Sequence, residues 1–294
     1  MVTLESDYGS IKIEIIKVKD LIQHEETILE KEIFFQKRSI LKNPIIVTEQ
    51  NIIIDGNHRA LGFKAQNIEY ILAYRINYFD PSVILRYWYR YIPGFGNLAE
   101  FNEIIMRSGG KIKEMKSLIS LKKACINQNF GFGFFIGDFY GFAMFNEKKY
   151  HNAVSIYNKI QELQNIMKMS GHEIQYIPDQ VLDDENFMNK FNKNDLIFLT
   201  PHLTKSQIVD SIFEGKVFAP KTTRHIIPYR PLNINIPIVW FKQGSNLDTL
   251  NIQLESLLKN KRIEKIAPHQ LIEGRYYEEE LLMFYDIEEE KKGK

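Results

Sequence analysis

Hydrophobic and polar residues form bounded segments along the first third of the chain. Ile11–Val18 (IKIEIIKV) alternates between the two classes, which predicts a β-strand. Four segments follow. His24–Asn43 has a helix pattern, and Asn43–Asp55 has the pattern of two strands around a turn at Glu49–Asn51. His58–Asn67 has a helix pattern and Tyr70–Phe79 a strand pattern. This order predicts a compact α+β unit.

The pattern of the remaining residues predicts a second unit that contains both helices and strands. Asp80–Gly96 is interpreted as a helix that ends in the Pro/Gly-rich break Pro93–Gly96, where we place a domain boundary. Two strands around a turn at Gly137-Asp138, a helix over 151–169, a strand at 195–200 and a helix capped by Thr204 follow. The predicted domains are 1–95, 96–235 (an α/β domain) and a C-terminal extension, 236–294.

Composition limits the kinds of partner that the protein is expected to bind. The 294 residues carry 38 Lys and Arg against 37 Asp and Glu, a formal net charge of +1, and this balance argues against a nucleic-acid partner. Cys125 is the sole cysteine, so no internal disulfide can form, and the seven histidines lack metal-ligand spacing. With no signal-peptide pattern and no apolar run long enough to span a bilayer, we expect a cytoplasmic protein without a membrane partner.

The segment IIIDGNHRALG holds the first candidate site. Asp55 ends a strand, Gly56 turns the chain, and Asn57, His58 and Arg59 open a helix whose free N–H groups and dipole favour anions. The guanidinium suits a phosphate or carboxylate, the imidazole is a titratable donor, and the aspartate could hold magnesium between phosphates. The alternative is an ordinary Asp-Gly turn before a solvated helix.

Two further segments of the sequence hold candidate site residues. The loop Lys221–His225 (KTTRH) combines cations, hydroxyls and an imidazole that suit a phosphate or carboxylate, or it is simply a solvated basic loop. His24–Glu26 (HEE) opens the first predicted helix. A carboxylate there could be a general base if its pKa were raised, or it could merely complement the helix dipole.

The motifs together resemble a known family. IIDGNHRALG resembles the strand-to-helix signature of the ParB/sulfiredoxin-like fold. With QHEE, YFDPSVILRYW and GKVFAPKTTRHIIPYRP in this order, residues 10–235 resemble the archaeal-type free L-serine kinases, with PKTTRH as the most specific element. The resemblance implies a ParB/sulfiredoxin-like N-terminal domain, a second α/β domain and an active-site cleft between them. It also implies phosphoryl transfer from ADP or ATP to free serine with magnesium, in cysteine or other phosphoserine-derived biosynthesis.

The resemblance assigns roles to particular positions. Glu25 is implied as the catalytic base, with Asp55 and His58 beside it, and Asp55 as the metal ligand. The remaining assignments follow the same motifs: Gly56, Asn57, His58, Arg59, Lys221, Thr222 and Arg224 for the nucleotide phosphates, and Trp88, Thr223 and His225 for serine. Asn57 stands where members of that family often have a second histidine. The resemblance to the family does not account for the C-terminal extension.

Other functions remain open on sequence grounds. A ParB-like DNA-binding protein would need a helix-turn-helix segment and a basic face, whereas residues after Pro93 are typical of aromatic strands and a long helix. A sulfiredoxin activity fails because no cysteine occupies the motif. A ligand-sensing regulator without kinase activity is the third alternative, although such a protein needs no base at Glu25. The choice between ADP and ATP, the acceptance of threonine and the oligomeric state stay open.

Overall fold

The computed structural model describes residues 2–6, 9–27, 38–127, 130–150, 152–242, 244 and 246–287. Contacts divide the chain into two compact units: residues 1–84 with 225–294, called unit 1, and residues 85–224, called unit 2. These limits differ from the domain limits predicted at 95 and 235, because residues 225–235 and the C-terminal extension group with the N-terminal part. Among the described residues, no helix combines the length and apolar character needed to cross a membrane.

Within the described ranges the α-helices are α1 (Asn57–Ala65), α2 (Leu98–Arg107), α3 (Leu118–Asn127), α4 (Ala153–Met169), α5 (Glu185–Met188), α6 (Lys205–Phe213) and α7 (Leu247–Lys259). The strands are β1 (Val2–Ser6), β2 (Gly9–Lys17), β3 (Ile40–Leu41), β4 (Ile45–Thr48), β5 (Ile53–Asp55), β6 (Tyr70–Ile76), β7 (Ile84–Ile92), β8 (Lys111–Met115), β9 (Gly131–Ile136), β10 (Phe139–Met144), β11 (Gln175–Pro178), β12 (Leu196–Leu199), β13 (Thr223–Ile226), β14 (Arg230–Leu232), β15 (Ile236–Pro237), β16 (Lys261–Ile266), β17 (Gln270–Ile272), β18 (Arg275–Tyr277) and β19 (Leu281–Asp286). This mixture confirms the predicted α+β class.

Unit 1 contains a mixed sheet in the order β1-β2-β6-β4-β5, with β4 parallel to β6 and antiparallel to β5. Alternate isoleucines of β2, among them Ile13 and Ile15, are buried, as the alternation predicted. The extension supplies β16 and β19, which form a small sheet with β14 in the order β14-β19-β16, and the hairpin β17–β18. Strand β5 lies at the edge of this sheet. Its last residue, Asp55, is followed by Gly56 and then by α1.

Unit 2 is built on a sheet in the order β11-β7-β12-β9-β10-β8. Its core is aromatic, with Phe132, Phe134 and Phe198 fully buried. The predicted helix α4 buries Val154, Tyr157, Ile160, Leu163 and Met167, as its spacing required. Thr204 caps α6 through a capping box with Gln207, which confirms that predicted helix start.

Three local predictions differ from the structure. The segment around Trp88 was predicted to be helical, but Ile84–Ile92 is a strand paired on both sides by β11 and β12. Its aromatic residues favour a pleated surface where cross-strand neighbours can cover them. The KTTRH segment was placed outside regular structure, yet Thr223–Ile226 forms β13. His24–Glu26 was placed in a helix. Residues 24–27 are not helical, and residues 28–37 lie outside the described part.

Candidate functional site

The DGNHR segment forms the predicted strand-to-helix junction. Asp55 is the last residue of β5, Gly56 is the N-cap of α1 and Asn57 begins the helix. Gly56 has a φ of 102°, where other residues are strained. A Cβ atom on this glycine would lie 2.7 Å from Ile45 Cγ2 and 2.9 Å from Arg59 Nη2. Both the backbone conformation and the space therefore require glycine at this position.

Replacing Gly56 with alanine should destabilise the protein by about 2–5 kcal/mol, since left-handed strain and overpacking add. Gly171 offers a matched control: its φ is 90°, but nothing lies within 4 Å of the Cβ position. Gly171→Ala should lose only about 1–2 kcal/mol, from the strain alone. Urea denaturation of both variants tests this prediction, and equal losses would show that close packing at Gly56 adds nothing.

Asp55 is surrounded by guanidinium groups. Its Oδ2 accepts hydrogen bonds from Arg230 and, at 3.1 Å, from Arg275, and its Oδ1 lies 3.5 Å from Arg59 Nη2. Burial by itself would raise the pKa of Asp55, but the charges of Arg275, Arg230 and Arg59 hold that pKa well below its usual range. The carboxylate is therefore ionised and acts as the anionic centre of an arginine cluster.

Arg59 is held on more than one side. Its Nη1 donates to the backbone carbonyl oxygens of Asn43 and Pro44, at 2.7 and 2.6 Å. These bonds and the ion pair with Asp55 fasten the start of β4 to the start of α1. The residue predicted to bind phosphate therefore also stabilises the loop beside the junction.

The contacts of Asp55 do not fit the predicted magnesium ligand. Both of its carboxylate oxygens already face guanidinium groups, which compete with a cation for the same lone pairs. Among the described residues, no three His, Cys, Asp or Glu side chains are grouped as a metal site would require. Arginine side chains thus engage Asp55 at the position where a magnesium ligand was predicted.

Glu25 lies on a segment that is fastened to this junction. Ile22 bridges Ile52, and the carbonyl oxygen of Ile22 accepts from the amide of Ile53 at 3.0 Å. The amide of His24 donates to Asn57 Oδ1 at 3.4 Å. The half-buried Glu25 therefore follows a residue that contacts the DGNHR motif directly.

His225 joins the same neighbourhood within unit 1. Its Nε2 lies 2.8 Å from the Tyr78 hydroxyl, and its ring packs edge-on against His24, with centroids 5.8 Å apart. Burial lowers the pKa of His24, although the charge of Glu25 opposes this effect. Unit 1 thus brings together the segments of three predicted motifs, those of Glu25, Asn57 and His225.

A cavity of about 560 Å³ opens at the junction. This volume is within the range of small-molecule sites. Its lining includes four of the five motif residues and part of the C-terminal extension: Arg38, Ile40, Leu41, Lys42, Asn43, Asp55, Gly56, His58, Arg59, Ile272, Glu273, Arg275 and Tyr277. His58 and Arg59 therefore face a cavity large enough for a ligand.

Unit 2 holds the other predicted residues. The Lys221 ammonium lies 4.7 Å from the centre of the Trp88 ring, and the Arg224 guanidinium lies 5.6 Å from it. Arg224 also donates to Gln180 Oε1 at 2.7 Å. The structure thus brings together Trp88, Lys221 and Arg224, whose charges and aromatic face are suited to an anionic or zwitterionic ligand.

The hydroxyl groups of the KTTRH segment are buried rather than solvated. Thr222 donates its hydroxyl proton to the carbonyl oxygen of Ala219 at 2.7 Å, which closes a local turn. Thr223, in β13, is also buried. The Thr222 hydroxyl thus supports the shape of the loop, which is a different contact from the phosphate contact predicted for it.

Sequence reasoning missed several charged residues that the fold brings to these sites. Arg230, Arg275 and Glu279 complete the cluster around Asp55, and Arg230 donates to Glu279 at 2.8 Å. In unit 2, burial raises the pKa of Asp179, against the opposing charges of Arg86 at 3.9 Å and of Arg224. Arg230 lies within PYRP and Arg86 within YFDPSVILRYW, but no spacing signal linked either of them to its partners.

Comparison with known proteins finds kinases among the similar sequences. No family model matches the chain. An ATP-dependent L-serine kinase of Staphylothermus marinus is 29% identical over 245 residues, which cover 76% of this chain and 89% of that protein. The ADP-dependent L-serine kinase SerK of Thermococcus kodakarensis is 24% identical, over 80% of this chain and 93% of that protein. The chain is thus similar in sequence to L-serine kinases.

The fold agrees with that relationship. A solved free serine kinase, a glutamate-to-alanine variant in complex with AMP, matches with a TM-score of 0.62 at 21% identity. The match covers 79% of this chain and 94% of the other. The similarity in fold thus extends over most of the length of both chains.

Proposed function

We propose that this protein is a kinase that transfers a phosphoryl group from ADP or ATP to the hydroxyl of free L-serine, giving O-phospho-L-serine in the cytoplasm. The observation that carries this proposal is the hydrogen bond between the His24 amide and Asn57. It holds the segment of a candidate base against the start of a helix suited to phosphate. The L-serine kinases among its relatives use the same class of substrates.

In this proposal Glu25 orients the serine hydroxyl and accepts its proton as the new P–O bond forms. The backbone N–H groups at the start of α1, with His58 and Arg59, stabilise charge on the transferred group. Asp55 keeps its arginine partners in place instead of binding metal. The predicted magnesium would have to be held chiefly by the phosphates of the nucleotide.

Serine recognition is proposed for Trp88, Thr223 and His225. Serine is small, so its selection depends on contacts to its ammonium and carboxylate groups as well as on limited space. Lys221 and Arg224, over the Trp88 ring, supply positive charge for a carboxylate or a phosphate. That these residues and the DGNHR motif serve one reaction centre stays a prediction. Strong non-additivity of kcat/KM between Trp88 and His58 variants would support it.

An acceptor screen tests the proposed function. Purified protein is incubated with magnesium, ADP or ATP, and serine, threonine or homoserine, and the nucleotide product is measured by chromatography. The expected result is serine-dependent turnover with one of the two nucleotides. If no acceptor supports turnover although a ligand binds, the protein is a ligand-sensing regulator. If it instead retards DNA in a mobility-shift assay, it is a ParB-like DNA-binding protein.

A further inference from the structure

The C-terminal extension contributes part of the wall beside the DGNHR motif. Its β17–β18 hairpin turns through Glu273 and Gly274, whose φ angles of 51° and 77° fit the two-residue turns that match strand twist. Ile272 and Arg275 pair across this turn and both line the cavity. The turn therefore places an arginine beside Asp55, the residue before the N-cap of α1.

The hairpin is held by several contacts with the rest of unit 1. Tyr277 packs with Leu232 and Leu281 in a hydrophobic cluster, and Ile272 packs against that cluster. Next to it, the buried Arg230 donates to the buried Glu279 and to Asp55. Lys42 pairs with Glu273 at the tip of the hairpin. These contacts hold the extension in one position relative to the motif, so Arg275 is preorganised.

Arg275 has unused binding capacity. Its Nη1 donates to Asp55 at 3.1 Å and its guanidinium lies 4.9 Å from the centre of the Tyr277 ring, yet half of its side chain is exposed. A guanidinium has five N–H donors in a planar fork. Asp55 therefore fixes the orientation of the group and leaves further donors directed to the cavity.

The charge of the cavity favours an anion. Its lining carries the cations Arg38, Lys42, Arg59 and Arg275 against the carboxylates Asp55 and Glu273. This excess of positive charge comes together with the N-terminus of α1, which also favours anions. A phosphate chain presents several oxygens to such a surface and matches the arginine fork well.

We propose that the C-terminal hairpin completes the polyphosphate subsite, with Arg275 binding a phosphate of the nucleoside di- or triphosphate beside the N-terminus of α1. This inference rests on the proposed function, because it takes the donor to be a nucleotide. It gives the extension a role in substrate binding: without the hairpin, the cavity loses one wall and the phosphates lose one arginine.

Arg275→Ala tests this inference, with Arg275→Lys as a second variant and Arg262→Ala as the control. Arg262 is a matched arginine of the extension, since it pairs with Glu264 at 2.9 Å and lies 5.4 Å from the Tyr285 ring centre, but it is not among the residues that line the cavity. Arg275→Ala should raise the KM of the nucleotide and the Kd of ADP, ATP and pyrophosphate by about tenfold or more. The KM of serine should stay unchanged. Arg275→Lys should fall between it and the wild type, and Arg262→Ala should match the wild type.

The outcomes separate this inference from the proposed function. Wild-type kinase activity with nucleotide affinity unchanged in both Arg275 variants, at equal melting temperatures, would overturn the inference alone. If nucleotide binding depends on Arg275 but serine is not phosphorylated, this inference stands and the proposed kinase function is wrong. Equal losses in Arg262→Ala would show a general charge effect, and the inference would fall. If the alanine variant does not fold, the nucleotide affinity of Arg275→Lys decides in the same way.

Discussion

Replacing Glu25 with glutamine should lower kcat by about 10²–10⁴-fold, the usual contribution of a positioned general base. The amide keeps the size of the carboxylate but cannot accept the serine proton. The half-buried side chain follows His24, whose amide is bonded to Asn57, so the backbone of the variant should stay in place. Steady-state kinetics with serine and the preferred nucleotide measure the loss, and calorimetry should show that both substrates still bind.

The neighbouring carboxylate provides the control for this prediction. Glu26 follows directly in the chain and is exposed. Glu26→Gln should therefore retain wild-type kcat while changing the net charge by the same amount. If both variants lose turnover equally, or if Glu25→Gln keeps more than about a tenth of wild-type kcat, Glu25 is not the general base.

Replacing Arg230 with methionine should lower the free energy of unfolding by about 3–5 kcal/mol, because it leaves a buried charge without its partner. Arg230 is 3% exposed and Glu279 is 8% exposed, so water cannot replace the lost ion pair. The substitution also removes one of the cations that hold Asp55. Urea denaturation monitored by circular dichroism measures the change.

Lys261→Met is the matched comparison for the Arg230 variant. Lys261 is similarly buried, but its partner Asp286, at 2.7 Å, is half exposed and stays hydrated after the substitution. The expected loss is about 1 kcal/mol or less. Equal losses in the two variants would mean that the buried cluster of Arg230, Glu279 and Asp55 has no special part in stability.

Short-range patterns were enough to predict the junction at the centre of the site. An apolar strand, an Asp-Gly turn and a helix start are adjacent in sequence, and the structure places Asp55, Gly56 and Asn57 at those positions. Helix α4 was predictable for the same reason, since its buried face repeats at helical spacing. Trp88 was misplaced because aromatic residues fit a helix face as well as a strand, and only pairing with β11 and β12 decides between them.

The arginine cluster could not be predicted from local patterns. Arg230 and Arg275 lie 175 and 220 residues from Asp55 in the sequence, and neither spacing carries a signal. The contacts exist because β14 pairs with β19 and the hairpin packs on the same hydrophobic cluster. The C-terminal extension therefore had no apparent role in the sequence, although it lines the cavity at the motif.

Phosphorus NMR of the reaction mixture tests directly whether serine is the phosphoryl acceptor. The protein is incubated with magnesium, L-serine and either ADP or ATP, beside a Glu25→Gln sample. We expect a phosphomonoester signal of O-phosphoserine with one nucleotide, matched by loss of the donor phosphate signal and absent from the variant. Unchanged nucleotide, or release of inorganic phosphate alone, would contradict the assignment of serine as the acceptor.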